Sequence, residues 1–341
     1  MHKFNLYEEH KHYFTPEIIT LVTKIYQYKG RQDLFVQMMG NELECFEKPA
    51  KIQSTLISNR MSGITTTDTR LNDLVNGETE PKNLSEEEIT GYYRVLSSIL
   101  QNYDYIPCKP YYILQLHRDL YSLCRTKDGG QYKIFDRTHK GSFLPVKASD
   151  TERAMDDLFD SYDSVFETEG TDPLILIPMM LMDFLCIHPF TDATYRMSRL
   201  IAILACCKHG FILGKYISLE QIMEGHWKEF NEAFLDSSEG WHENGSNYEP
   251  FICWFLSVLL EAYEAFEKRM EHLWHNRKTK PQLIEEYILS TGEKTTKKEI
   301  LEYFPDIGEI TVERTLHSLC QKGMIKKQGA SRATFYVRCK K

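Results

Sequence analysis

Leu174 to Ile187 is the stretch that most constrains this chain. Its fourteen residues are apolar on every side, broken only by Pro178 and Asp183. A helix without a polar face cannot lie on a surface, so other helices must surround it. It is also too short to cross a bilayer, and it carries a carboxylate. Gly170 and Pro173 punctuate its start, and His188-Pro189 ends it. The expectation is a mainly α protein built around one central buried helix.

Length and composition allow this. The chain has 341 residues, 42% of them hydrophobic and 26% charged, which suits folded domains better than disorder. Its nine cysteines are odd in number and show no CxxC spacing, so neither a disulfide framework nor a zinc site is indicated. Cysteines inside apolar runs, such as Cys186 and Cys253, read as buried reduced thiols and point to a cytoplasmic protein. The N-terminus has no apolar segment of signal-peptide length, and no membrane partner is expected. Net charge is −8 but unevenly placed: Arg277 onward holds 14 Lys/Arg against 8 Asp/Glu, a local +6 on an otherwise acidic body. That asymmetry reads as a basic module joined to an acidic one, or as a tail that is basic only for solubility.

Spacing along the chain gives the organisation. Residues 1 to about 130 read mainly as helix, with Thr15 capping a helix that starts at Pro16. A second helix starts near Leu84-Ser85-Glu86-Glu87-Glu88, with acids in its first turn. A third covers Tyr111 to Cys124. Asp128-Gly129-Gly130 breaks the pattern. Gln131-Tyr132-Lys133-Ile134-Phe135 and Ser142-Phe143-Leu144-Pro145-Val146 then alternate as a small β-hairpin. Helices follow at 155–166, 174–187, about 196–208, 218–236 and 248–275. After a linker at Arg277–Pro281 come short helices at about 281–290, 296–303 and 311–322. A strand, a glycine turn and a second strand end the chain. Helix–helix–helix–hairpin resembles a winged helix-turn-helix domain, with the third helix as the reader. The domains expected are a helical region at 1–110, a central domain at 111–276 and a winged helix at 277–341.

The chemistry concentrates where the central helix ends, in Ile187-His188-Pro189-Phe190-Thr191-Asp192-Ala193-Thr194-Tyr195-Arg196-Met197-Ser198-Arg199. His188, fixed at the end of a buried helix, suits proton transfer near neutral pH. Asp192 is a hard oxygen donor suited to Mg²⁺, or alternatively a helix cap. The next helix begins there, and its free N–H groups attract anions. Arg196 and Arg199, three apart on one face, could grip phosphate oxygens.

This corner resembles the Fic (Doc) family signature HPFx(D/E)(G/A)NGRxxR, matching at His188, Pro189, Phe190, Asp192, Ala193, Arg196 and Arg199. Thr194 and Tyr195 replace its Asn-Gly. The resemblance spans roughly residues 50–265 and implies a Fic-type helical bundle with a β-hairpin flap. The implied reaction moves AMP from ATP to a Ser, Thr or Tyr hydroxyl of a target protein. His188 would be the base, Asp192 would hold Mg²⁺, and Ala193, Thr194, Tyr195, Arg196 and Arg199 would bind nucleotide. Gln131, Tyr132 and Lys133 would align the target, with Lys133 replacing the usual flap arginine. If Tyr195 kept the glycine's left-handed backbone, the cost would be ~1–2 kcal/mol. The family's inhibitory motif, (S/T)xxxE(G/N), resembles Ser58, Ser62 and Gly63, with serine in place of glutamate. The alternative is a degenerate scaffold that binds nucleotide or protein and regulates through its winged helix. Lys326, Lys327 and Arg332 are the candidate DNA contacts there, although such modules also serve as protein docks. A homodimer is left open.

Overall fold

The computed structural model describes residues 2–124, 127, 129–136, 143–166, 168, 170–276, 279–291, 294–305, 307–329 and 334–339. The chain forms two compact units, Met1–Lys268 and Arg269–Lys341. The first is helical: α1 Leu6–Glu9, α2 Pro16–Arg60, α3 Asp68–Asn76, α4 Leu84–Asn102, α5 Pro110–Leu120, α6 Thr151–Phe166, α7 Pro173–Ile187, α8 Thr194–Lys208, α9 Leu219–Gly225, α10 Trp227–Ser238 and α11 Glu249–Asn276, which runs across the division.

The expected central helix is α7. Every residue from Leu174 to Ile187 is buried, and α6, α8 and α10 pack around it. Each fully buried Leu, Ile or Met contributes roughly 1.5–3 kcal/mol, so α7 anchors the unit. Its single carboxylate is accommodated rather than excluded: Asp183 accepts hydrogen bonds from Tyr248 Oη at 2.6 Å and Trp241 Nε1 at 2.7 Å. Burial still pushes this carboxyl up to about 7, against the pull of those two donors.

A second framework sets the site from the other side. The Thr15 side chain caps α2, which then runs 45 residues and bends at Met39, where φ is −136° beside Gly40. Gly63, in the left-handed region at φ +77°, lies just past its end, where the Ile64 N–H returns to the Asn59 carbonyl at 3.0 Å. Helix α2 packs against α4, α8 and α9, and near its C-terminus Asn59 and Arg60 bond to Arg196 of α8 and Glu224 of α9. Gly91 lets α4 meet α5 closely, since a β-carbon there would lie 2.0 Å from the Leu120 carbonyl oxygen.

The expected hairpin near residue 135 does not form among the described residues. Segments 131–136 and 143–147 carry no strand, and 137–142 lie outside the described residues. Their backbone bonds go elsewhere: Lys133 N–H to the Pro189 carbonyl at 2.9 Å, and Val146 N–H to Cys186 at 3.4 Å. Alternation predicted pairing between the two segments, but each is tethered to α7 or the loop after it.

The second unit contains α12 Lys280–Thr291, α13 Lys297–Tyr303, α14 Glu309–Gln321 and the antiparallel strands β1 Ile325–Gln328 and β2 Phe335–Arg338. A capping box of Thr296 and Glu299 starts α13. Thr295 pairs with Tyr336, adding one bridge to the edge of the sheet. Ile284, Ile288, Ile300, Val312, Leu316 and Ile325 form its separate core. Among the described residues, no helix is long and apolar enough to cross a membrane.

Candidate active site

Helices α7 and α8 meet in a corner made by two left-handed residues. His188 ends α7 at φ 49°, and Ala193 precedes α8 at φ 64°. His188 is buried, and its backbone is fixed from a direction the sequence did not suggest. Lys133 is also buried, and its Nζ donates to the carbonyls of Ile187 at 2.7 Å and His188 at 2.9 Å. A lysine there neutralises the negative end of α7. Lys133 therefore holds His188 in place from within the protein. Gln131 is exposed, and Tyr132 stacks 6.2 Å from Phe190 with its hydroxyl buried and unpartnered.

Thr194 and Tyr195 do not sit where the sequence placed the strain. Both are in the first turn of α8 with right-handed backbone, and the left-handed residue is Ala193. The Thr194 hydroxyl donates to the Phe190 carbonyl and accepts the Phe190 N–H, both at 3.3 Å, which closes the loop on itself. The Tyr195 ring stands 5.8 Å from the His188 ring and 6.3 Å from Phe230. It also lines a narrow apolar pocket with Trp227, Trp254 and Arg199.

Both arginines face inward. Arg196 is 1% exposed and donates to Glu88 at 2.5 Å, Tyr121 at 3.0 Å and Asn59 at 3.2 Å. Its Nε is buried without a partner. Arg199, also buried, donates to Ser58 Oγ at 2.7 Å, the Ser58 carbonyl at 2.8 Å and Ser62 Oγ at 3.3 Å. Burial lowers its pKa, while Tyr92 and Glu220 act the other way. Ser58 and Ser62 thus both meet Arg199, and Gly63 lies just beyond the helix end.

Asp192 is half exposed, and neither carboxylate oxygen is open. Oδ1 accepts the Ala193 N–H at 2.6 Å, and Oδ2 accepts Lys127 Nζ at 2.5 Å. Lys127 also reaches Glu88 at 2.9 Å, linking Arg196, Glu88, Lys127 and Asp192 in one chain of alternating charge. Burial would raise the Asp192 pKa, but Lys127, Arg196 and the Ala193 N–H together hold it below the usual carboxylate range. Among the described residues no cluster of three His, Cys, Asp or Glu could hold a metal. A single carboxylate can hold Mg²⁺ when waters and substrate phosphates complete the shell, but this one does not fit the expected ion as it stands, because Lys127 Nζ and the Ala193 N–H already occupy its oxygens.

Sequence reading missed Lys127, Glu88 and His117. His117 is buried, stacks on Phe190 at 3.8 Å, and accepts the Gly130 N–H through Nδ1 at 2.9 Å. Its Nε2 then carries the proton toward the Asp192 carbonyl at 3.3 Å. Burial depresses its pKa to about 4, so it stays neutral. A lone histidine on an amphipathic helix carries no signal of such a role. His117, Lys127, Tyr132 and Asp192 line a cleft of ≈ 350 Å³. In the second unit, Lys326 and Lys327 are exposed on β1, and Arg332 lies outside the described residues.

The Fic/DOC family model matches residues 107–206, which include the α7–α8 corner, Lys127 and Lys133. No curated protein matches the chain. Solved structures share the fold at low identity. A Fic family protein from Desulfovibrio desulfuricans G20 gives a TM-score of 0.62 at 17% identity, covering 96% of this chain and 97% of that one. A Fic domain containing signaling protein from Bacteroides thetaiotaomicron VPI-5482 gives 0.58 at 18%, covering 75% and 97%. Fic-1 from C. elegans gives 0.55 at 16%, covering 76% and 73%. The matched segment contains the histidine, the loop and both arginines in the order and on the helices described above, and the chain carries a Fic/DOC family domain at residues 107–206.

Proposed function

We propose that the chain is a protein adenylyltransferase of the Fic type. It transfers AMP from ATP to a Ser, Thr or Tyr hydroxyl of a target protein. Members of the family typically make this transfer. The observation that carries the reading is the α7–α8 corner: one turn of chain joins a rigidly held histidine to the N-terminus of a 15-residue helix. In the reaction, His188 takes the target hydroxyl proton while that oxygen attacks the α-phosphorus. The bond from the α-phosphorus to the bridging oxygen breaks, and pyrophosphate leaves. The α8 N–H groups face the phosphates, and Arg199 is the cation closest to release, held by neutral oxygens. Arg196 keeps a framework role beside Glu88. The Tyr195 ring stands 5.8 Å from the buried His188 ring, so its position bears on how a substrate approaches. We assign residues 1–110 to a helical region whose α2 closes on Arg199, 111–276 to the Fic domain and 277–341 to a winged helix.

The test is incubation with α-labelled ATP and lysate proteins, or with the chain alone. Label should appear and should vanish for His188→Ala. It should rise when Thr194→Asn and Tyr195→Gly are introduced together. No label on any protein in any variant would reject the reading. A second reading draws on the burial of both arginines and the closed Thr194 loop: a scaffold that binds nucleotide or protein without turnover. It predicts label only in the Asn-Gly double variant.

A further inference from the structure

Lys127 does nothing in the reaction above, yet it sits at the centre of the site. Its Nζ lies 2.5 Å from Asp192 and 2.9 Å from Glu88, two carboxylates brought together from the α7–α8 loop and from α4. Glu88 is buried and already pairs with Arg196 at 2.5 Å, and Asp192 is half exposed at the cleft. One small cation between two carboxylates, beside the N-terminus of a helix, is the arrangement a divalent metal would adopt. Here the cation is covalently part of the chain. We propose that Lys127 is the resident cation of the site, occupying the coordination position of Asp192. A polyphosphate would then be taken up against a lysine rather than against a divalent metal.

Three features support this. The ammonium is about the size of the gap it fills, because both contacts are within hydrogen-bond distance. Lys127 is only partly exposed, with its ammonium 5.4 Å from the Tyr121 ring centre, so it is held in place rather than sweeping through solvent. Both oxygens of Asp192 are engaged, so a metal would have to displace Lys127. Removing Lys127 would leave two carboxylates facing one vacancy, a better metal site than the natural one.

The experiment has two arms. Manganese binding to the full chain is followed by electron paramagnetic resonance, without nucleotide. The natural protein should show little binding. Lys127→Met and Lys127→Gln should bind Mn²⁺ at least about tenfold more tightly, because ligand charge sets affinity. Lys127→Arg should behave like the natural protein, and adding Asp192→Asn to Lys127→Met should abolish the gain. Circular dichroism confirms that each variant is folded. Equal Mn²⁺ binding by the natural protein and Lys127→Met would overturn the proposal, as would no gain in either neutral variant.

In the second arm, ADP binding is measured by calorimetry in EDTA and in Mg²⁺. The natural protein should give dissociation constants within about threefold of each other, while Lys127→Met loses about tenfold in EDTA. Binding by the natural protein only with Mg²⁺ would also overturn the proposal. This arm draws its ligand from the adenylyltransferase reading. Silence toward ADP in every variant and buffer would therefore count against that reading, while the manganese arm still decides on Lys127.

Discussion

At the scale of single residues, the corner is governed by which position takes left-handed backbone. The signature placed that burden on residue 195, where a glycine would be free to adopt it. The structure moves it to Ala193, at φ 64°, and lets α8 begin at Thr194. A β-carbon in this region costs roughly 1–2 kcal/mol, partly offset by the chain entropy that glycine loses on folding. Ala193→Gly should therefore stabilise the protein by about 1 kcal/mol, read as a higher urea midpoint at unchanged slope. His188, Asp192, Arg196 and Arg199 were legible in the sequence because their spacing is rigid. Their partners were not. Glu88 reads as an ordinary first-turn acid, Lys127 lies beside a glycine break, and His117 sits on a helix about seventy residues from the loop it supports. Contacts at such separations leave no periodicity to read.

At the scale of elements, packing decided what propensity could not. The apolar run at 174–187 could only be a core helix, and its identification rested on the missing polar face. The length of α2 was less legible, because Gly30, Gly40 and Pro49 all argue for breaks and only Met39 leaves helical geometry. Burial of Leu43, Ala50 and Ile57 keeps the rest helical. The hairpin was misread because alternation describes any extended segment, whether or not it finds a partner strand. The closest approach between elements, α4 against α5 at Gly91, gives a direct test. The methyl of Gly91→Ala would meet a backbone oxygen that no side-chain rotation can clear. We expect a loss of 1–3 kcal/mol or more, measured by chemical denaturation, since the two helices must part. Glu88 lies one turn before Gly91 on α4, so the same variant should also loosen its hold on Arg196.

At the scale of the whole molecule, the charge asymmetry of the sequence suggested a nucleic-acid partner for the C-terminal unit. The charges on its reading helix bear on that expectation. On α14, the helix that would enter a groove, Glu309 and Glu313 are exposed, and both bind Lys297, at 2.6 and 2.5 Å. Carboxylates on that face repel phosphates and offset the exposed Arg314 of the same helix. We therefore expect no shift of duplex DNA by the full chain at about 0.15 M salt in a gel assay. A salt-dependent shift weakened by Lys326→Gln and Lys327→Gln would reverse this.

The serine at position 62 has a further physical consequence. A glutamate there would hold Arg199 by full charge, and an incoming anion would have to outbid an equal charge. The Arg199 hydrogen bonds go instead to hydroxyl and carbonyl dipoles, with the Glu220 charge acting from farther off. Such a clasp responds little to ionic strength, since dipoles and buried charges are little screened. It is also asymmetric: any polyanion that reaches the guanidinium offers more than the groups it displaces. On the proposed adenylyltransferase reading, the end of α2 is a latch without a lock, closed on Arg199 here and opened by the phosphate that displaces Ser58 and Ser62.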